Sequence, residues 1–367
     1  MEDSPNVEEK MELIMKQLDP VDGVIAEDEI RAVLEKEDRD LKIYWGTATT
    51  GKPHMGYFVP IYKISDFLRA GCEVTILFAD LHGFLDSMKS SWEELTARCD
   101  WYEMIIKQML VTIGVPLDKL HFKRGTDYQT SPKYTLDMYR MAAQVTTAHA
   151  KHAGAEVVKA SANPLMSSLL YPILQALDEE YLGVDVQFGG IDQRKIFTFA
   201  REKLPLIGYK KRAYLMNPLI PSLSKSGKLK EGEINKMSAS KVNSKIDFDD
   251  SAKLIKKKIN AAFSEDGNVE NNGLLAMCKY VLWRYLDSRG EPFVAPRREK
   301  WGGPQTFHLY QEMEDAFAEK ELVSGDLKAG VAKLLIEFLA PLRQFCKEFA
   351  GALDRAYPNH RQNQDSP

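Results

Sequence analysis

The chain has 367 residues, 44% hydrophobic and 28% charged, with a formal net charge of −4. That length allows two domains, the composition is that of an ordinary globular protein, and the charge excludes a global basic field, so any RNA contact must come from local patches. No run of 18 apolar residues is present, which excludes a membrane-spanning helix, and Cys72, Cys99, Cys278 and Cys346 are too dispersed for a structural zinc site and fit a reducing compartment.

In chain order, the acidic start from Met1 to Glu9 has the wrong sign for a presequence, so a cytoplasmic location is expected. Residues 1–40 read as a charged helical segment, with Met11, Leu13, Ile14, Leu18, Ile25, Ile30, Val33 and Leu34 at helical spacing. Leu41 to Trp45 has strand length and runs through a Gly/Thr-rich loop, Gly46 to Tyr57, into an apolar-periodic helix from Phe58. A strand, a glycine loop and a helix start together make an anion cradle, because free N–H groups and the helix dipole favour negative charge. Glu73 to Ala79 is a buried strand, Trp92 to Ile113 a long helix stopped by Gly114-Val115-Pro116, and Lys119 to Lys123 a further strand. Such alternation predicts βαβ units and a parallel sheet. In these sheets ligands bind at the carboxyl ends of strands. The 44–57 loop, Asp80-Leu81-His82 and Gly125-Thr126-Asp127 should therefore converge.

Residues 131–183 read as helix, and a last strand candidate, Val184 to Phe188, ends in Gly189-Gly190-Ile191-Asp192-Gln193. Further on come a lysine-rich helix from Ser251 to Phe263, with Leu254, Ile255, Ile259 and Phe263 on one face, and an apolar helix from Leu274 to Leu286. One long terminal helix is striped by Val331, Leu334, Leu335, Phe338, Leu342, Phe345 and Phe349. Periodicity ends at Gly351, and disorder is expected from Asn359. The expected organisation is α/β: a helical segment 1–40, a Rossmann-like parallel-sheet catalytic domain 41–240 with a helical insertion at 131–183, an α-helical C-terminal domain 241–350 and a tail 351–367.

Two short stretches carry chemistry jointly. His54-x-Gly56 alone is as easily a turn glycine beside a surface histidine, and Lys236-Met237-Ser238-Ala239-Ser240 alone is a polar loop. As a pair they resemble the His-Ile-Gly-His and Lys-Met-Ser-Lys-Ser signatures of class I aminoacyl-tRNA synthetases. Around them Tyr44-Trp45-Gly46-Thr47, Ala79-Asp80-Leu81-His82, Tyr171-Pro172 with Gln175 and Asp178, and Gly189 to Lys195 resemble tyrosyl-tRNA synthetases of the eukaryotic and archaeal type. These blocks run in order from about Leu41 to about Phe345.

The resemblance implies activation of tyrosine by ATP, followed by transfer to tRNA(Tyr). Attack of a carboxylate on the α-phosphate needs positioning and charge neutralisation more than acid–base chemistry. Thr49, Thr50, His54, Lys236, Ser238 and Ser240 are the groups it assigns to the phosphates. Gly46, Gly56, Gly190 and Asp192 are assigned to the nucleotide, with Asp192 on the ribose. Mg²⁺ would arrive with ATP rather than in a protein-held site.

Tyr171, Gln175 and Asp178 share one helical face at i, i+4 and i+7. A polar stripe there suits a pocket wall better than a core, since buried polar groups need partners; a solvated face is the plainer alternative. By resemblance Asp178 accepts from the substrate phenol while Tyr44 donates to it, and Tyr171, Gln175 and Gln193 hold the ammonium. Trp301 and Asp326 resemble anticodon-reading positions, one stacking on a base and the other accepting from a guanine edge. In the family the 131–183 region forms a homodimer interface, which Pro164, Met166, Leu169, Leu170 and Leu174 fit as well as they fit a plain core.

Two positions depart from the signatures. Tyr57 stands where the second histidine is common, and Ala239 where a second lysine is, with Lys241 nearby. The polar run Ser222 to Asn235 is expected to act as a mobile lid. Rival readings are a tryptophanyl-tRNA synthetase, a nucleotidyltransferase with a similar loop, and a catalytically silent RNA-binding paralogue. Lys236→Ala is expected to slow adenylate formation while leaving tyrosine binding nearly intact. Single-turnover pyrophosphate release beside a tyrosine titration checks this, and unchanged turnover would remove Lys236 from the chemistry.

Overall fold

A computed structural model describes residues 5–87, 90–115, 117–157, 165–224, 237 and 245–358. Pro116, Pro164, Lys236, Ser238, Ala239, Ser240, Lys241, the polar run beyond Ser224 and the tail from Asn359 lie outside the described residues. The chain divides into two compact units. The first comprises residues 1–50, 63–104 and 114–218, and the second 51–62, 105–113 and 219–367.

The first unit holds a six-stranded sheet of order β1-β6-β5-β2-β3-β4. Its strands are β1 (Val24–Ile25), β2 (Lys42–Thr47), β3 (Glu73–Phe78), β4 (Leu120–Arg124), β5 (Val186–Gly190) and β6 (Ala213–Asn217). All pairings are parallel except β1 on β6, where Val24 faces Leu215 and Ile25 faces Tyr214. From β2 the chain steps outward through β3 to β4, then returns on the other side as β5 and β6. Strand order thus reverses between β2 and β5, the switch point where doubly wound sheets open a crevice. The loops leaving these two strands carry Thr49 and Asp192.

In chain order the helices begin with α1 (Val7–Met15), α2 (Glu27–Lys36), α3 (Phe58–Arg69), α4 (Asp80–Ser87) and α5 (Trp92–Thr112). Next come α6 (Pro132–Ala142), α7 (Thr147–Ala153), α8 (Met166–Tyr181) and α9 (Arg194–Lys203). The first 40 residues are not wholly helical: β1 interrupts them, because Val24 and Ile25 find the open edge of β6. Lys63 is buried in α3, and its ammonium donates to Leu13 O and Lys16 O, both at 2.7 Å, where α1 ends. A helix C-terminus offers carbonyls without intrahelical partners, and a cation there satisfies both charge and hydrogen bonding.

Helices α6 to α9 and β6 share one core, with Ile173, Leu174, Leu177, Phe197, Leu204 and Met216 at its centre. Phe197 stacks on Tyr214 with ring centroids 5.0 Å apart. Gly189 is required here, since a Cβ would stand 2.9 Å from both Phe197 and Gln193.

The second unit contains α10 (Ala252–Ala261), α11 (Gly273–Met277), α12 (Trp283–Arg289), α13 (Tyr310–Ala318), α14 (Ser324–Phe338), α15 (Ala340–Glu348) and α16 (Ala350–Ala356). A two-stranded antiparallel ribbon, β7 (Phe293–Ala295) with β8 (Gln305–Phe307), breaks the expected all-helical composition. The expected 274–286 helix is helical throughout but passes through a π-turn at Cys278–Leu282. The lysine-rich helix stops at Ala261, leaving Phe263 exposed rather than on its buried face.

The single terminal helix expected from the Val331–Phe349 stripe is two helices that break at Leu339. Pro341 has no N–H to give the carbonyl of Glu337, so the ladder cannot run through. Beyond Gly351, where periodicity is lost, α16 still forms and buries Leu353 and Ala356.

Phe197→Ala is expected to cost about 3–5 kcal/mol, the usual range for emptying a fully buried aromatic site. Urea denaturation measures this, and a loss under about 1 kcal/mol would show that the α9–β6 core collapses around the vacancy.

Candidate active site

The expected tyrosine-pocket residues converge on α8, which is buried from Tyr171 through Glu179. Asp178 is fully buried, and its Oδ1 accepts from Tyr128 Oη (2.8 Å), Gln129 Nε2 (2.8 Å) and Tyr134 Oη (3.0 Å), the last sharing its one hydrogen with Leu174 O at 2.9 Å. Its Oδ2 has no hydrogen-bond partner among the described residues. The carboxylate is thus clamped through one oxygen and leaves the other for an incoming donor. Burial, only partly offset by these three donors, raises its pKa to about 7.

Tyr44, on β2, is buried beside it and donates to Gln175 O at 3.3 Å rather than to Asp178. Gln175 Nε2 donates to Gln193 Oε1 at 2.8 Å, joining the α8 face to the turn after β5. Asp192 is buried at that turn, next to Gly190. Thr49 is buried with Oγ1 3.6 Å from Cys99 Sγ, Thr50 is exposed, and Gly46 lies on β2.

Further polar groups pack around Asp178 that were not among the expected site residues. His82 is buried, its ring meets Tyr171 edge-on with centroids 4.6 Å apart, and Nε2 is 4.0 Å from Asp178 Oδ2. Burial lowers its pKa to about 4, so the pair is a neutral imidazole beside a carboxyl group and not an ion pair. Tyr128, Gln129, Tyr134 and His82 had one usable signal. Asp80-Leu81-His82 and Gly125-Thr126-Asp127 follow β3 and β4, whose ends were expected to converge. They do: Asp80 accepts from Thr126 N at 3.0 Å and Leu81 N at 2.8 Å. A Cβ on Gly125 would meet Gln129 at 2.3 Å and Asp80 at 2.8 Å, so only glycine lets these two side chains pass.

The second unit contains the His54–Gly56 loop. His54 is buried and its Nδ1 accepts from Gly56 N–H at 3.2 Å. Burial, with Lys245 adding to it, lowers its pKa to about 3, so the ring is neutral and the remaining proton sits on Nε2, a donor. Tyr57, where the second signature histidine is common, meets the His54 ring edge-on at 5.4 Å. A Cβ on Gly56 would stand 2.9 Å from His54 Cε1 and 3.6 Å from Met237 Sδ. Met237 is the described residue of the Lys236–Ser240 signature, and the two signatures therefore adjoin. Lys236, Ser238 and Ser240 themselves lie outside the described residues.

Asp247, Asp249 and Asp250 bring carboxylate oxygens within 4.8 Å of one another, the spacing of a cation site. Lysines already occupy them: Lys52 on Asp249 (2.6 Å) and Asp247 (3.3 Å), Lys245 on Asp247 (2.7 Å) and Lys258 on Asp250 (2.6 Å). Trp301 is 58% exposed, with the Lys300 ammonium 4.4 Å and the Arg298 guanidinium 5.5 Å from its ring centroid. Asp326, in the first turn of α14, accepts from Arg297 Nε at 2.7 Å.

With this geometry in hand, the sequence model described as tRNA synthetases class I (W and Y) matches residues 36–340. A cytoplasmic tyrosine–tRNA ligase of Gallus gallus is 53% identical over 98% of this chain and 65% of its own length. One of Saccharomyces cerevisiae is 52% identical over 90% of this chain and 83% of its own. The chain belongs to this class I family, on its tyrosyl branch. It spans less than two thirds of the length of the chicken and zebrafish relatives, 65% and 64% respectively. Among solved structures it superposes on a tyrosyl-tRNA synthetase of Archaeoglobus fulgidus complexed with L-tyrosine. The TM-score is 0.80 at 32% identity, covering 92% of this chain and 99% of that one. A Pyrococcus horikoshii synthetase gives a TM-score of 0.86 at 25% identity over 96% of this chain and all of that one, 100%.

Within this synthetase fold Glu179, next to Asp178, is also fully buried. Tyr214 donates to its Oε2 at 3.2 Å, while Oε1 has no partner among the described residues. Burial outweighs the nearby Arg212 and raises its pKa to about 8. The folded chain then holds a proton that the unfolded chain, with a glutamate pKa of about 4.3, has lost. That contribution to stability is full below about pH 4 and disappears as pH rises through about 8. His54 and His82, depressed, act in the opposite sense and weaken the fold as pH falls from about 6.5. Glu179→Gln is expected to remove part of the decline in melting temperature between about pH 5 and 8, with Asp178, also raised, supplying the rest. Melting curves across that range test it, and an unchanged decline would place the titration elsewhere.

Proposed function

We propose that this chain is a tyrosine–tRNA ligase. The observation that carries the reading is Asp178, a fully buried carboxylate with one oxygen fixed by three donors and the other unpartnered, beside Tyr44. A phenolic hydroxyl can donate to that oxygen and accept from Tyr44 at once. An aromatic substrate without the hydroxyl leaves Asp178 Oδ2 unpaired in a desolvated site, a cost of about 1–3 kcal/mol, while Tyr44 keeps its bond to Gln175 O. Tyr171, Gln175 and Gln193 hold the α-ammonium. The similar archaeal structures, tyrosyl-tRNA synthetases complexed with L-tyrosine, support the same assignment.

In the first step the tyrosine carboxylate attacks the α-phosphorus of ATP and pyrophosphate leaves, giving tyrosyl-adenylate. His54, neutral and donating from Nε2, together with Thr49, Thr50, Lys236, Ser238 and Ser240, binds the phosphate oxygens. Asp192 takes the ribose, and Gly46, Gly56 and Gly190 allow the nucleotide to approach the backbone. Mg²⁺ enters on ATP. In the second step a hydroxyl of the terminal adenosine of tRNA(Tyr) attacks the tyrosyl carbonyl carbon and AMP leaves.

Trp301 and Asp326 read the anticodon. Leu136 and Tyr139 on α6, with Leu165 and Met166 at the start of α8, are 61%, 62%, 61% and 70% exposed. They form the apolar contact of a homodimer. The relatives' names place them in the cytoplasm, where this chain is also assigned.

ATP–pyrophosphate exchange with tyrosine, tryptophan and phenylalanine supplied separately is the test. Exchange is expected with tyrosine alone. Asp178→Ala is expected to lower the preference for tyrosine over phenylalanine by about 10- to 100-fold, the value of one lost buried hydrogen bond. Exchange with tryptophan would move the chain to the other branch and Asp178 to another role. No exchange in folded protein with Mg²⁺ would favour a silent RNA-binding paralogue.

A further inference from the structure

The loop that presents His54 is tied to one neighbouring segment, residues 245–250, by both main chain and side chain. His54 and Asp247 form an antiparallel bridge, and Met55 N–H donates to Ile246 O at 2.9 Å. Two residues before His54, Lys52 turns away from the loop with its side chain only 11% exposed. Its ammonium lies 2.6 Å from Asp249 Oδ1 and 3.3 Å from Asp247 Oδ2. The loop thus meets Asp247 twice, through the backbone of His54 and the ammonium of Lys52. Gly51 O accepts from Tyr357 Oη at 2.8 Å on the loop's other side. Three lysines facing three aspartates leave these carboxylates to ammonium groups rather than to a metal ion.

We propose that Lys52, through Asp249 and Asp247, is a positioning residue. It fixes the backbone of the His54–Gly56 loop and so the direction in which the imidazole presents its Nε2–H. This rests on the reading above, in which His54 donates to the phosphates of ATP. Lys52 is already committed to two carboxylates, so it acts through the loop and not on the nucleotide. The Gly56 N–H to Nδ1 bond sets the tautomer, and the Lys52 pairs set where the ring stands. Misplacing a phosphate donor by a fraction of an ångström lowers the rate without altering the residues that bind the amino acid.

The test compares the parent with Lys52→Met, Lys52→Arg, Asp249→Asn and the double variant Lys52→Met/Asp249→Asn. For each, kcat and KM for ATP in tyrosine-dependent exchange are measured with the equilibrium Kd for tyrosine and the melting temperature. Lys52→Met and Asp249→Asn are each expected to lower kcat/KM for ATP about tenfold or more, with the Kd for tyrosine unchanged. Lys52→Arg should recover most of the loss, and the double variant should be no worse than the poorer single.

Asp249→Asn separates positioning from direct contact, because it removes a partner of Lys52 and leaves the lysine itself in place. Should Lys52→Met fail to fold, Asp249→Asn decides, since Lys52 then keeps Asp247. Unchanged ATP use in Asp249→Asn, or a fall in tyrosine affinity in step with ATP use and melting temperature, would overturn the proposal. Absence of exchange in the parent would overturn the functional reading instead. The loop inference would then stand or fall on ATP affinity alone, measured by equilibrium dialysis on the parent and on Asp249→Asn.

Discussion

Desolvation of Asp178 organises the first unit. A carboxylate with no exposure is tolerable only when its oxygens are hydrogen-bonded or its proton retained, and this chain uses both. The three donors on Oδ1 come from the turn after β4 and from α6, so a single oxygen fixes those two elements to α8. Gly125 and Gly189 then become necessities of packing, because at each a Cβ would collide with the glutamine that lines the pocket. The same desolvation makes any unpaired polar group here expensive.

The second unit solves a similar problem with charge. Buried Lys245 and Lys258 and half-buried Lys52 pair with Asp247, Asp250 and Asp249. Burial alone would raise the Asp247 pKa, yet Lys52 and Lys245 hold it below the usual carboxylate range. Such networks are costly to assemble and costlier to break on one side, and they fix register where an apolar contact would let segments slide. Phe58, just after the signature loop, adds the apolar part by packing on Phe248 and Phe338, with centroids 5.8 and 4.5 Å away.

Much of this was legible in the residues. The i, i+4, i+7 stripe placed Tyr171, Gln175 and Asp178 on one helical face, and all three are buried on α8. The ends of β3 and β4 were expected to converge, and Asp80 joins them. What was not legible lies between segments distant in sequence. Tyr128, Gln129 and Tyr134 gain meaning only once α8 lies against them. Tyr44 turned out to bond a main-chain carbonyl of α8, which no residue pattern encodes. In the second unit, strands of three residues are too short to show alternation, so β7 and β8 were missed. The break at Leu339 was missed because the apolar stripe continues across it, although Pro341 offered the cue.

The contact between Lys63 and the end of α1 bears on how the N-terminus can be altered. An acidic leader of some twenty residues looks like a dispensable appendage, yet the carbonyls of Leu13 and Lys16 solvate an ammonium that is itself inside the protein. Removing that leader strips two acceptors from a buried ammonium and leaves it the carboxylate of Asp66, 3.6 Å away, and a buried charge deprived of partners is destabilising. Asn6 caps α1, its side chain accepting from the N–H of Glu9. Truncation past it turns a tether into a missing piece of the interior.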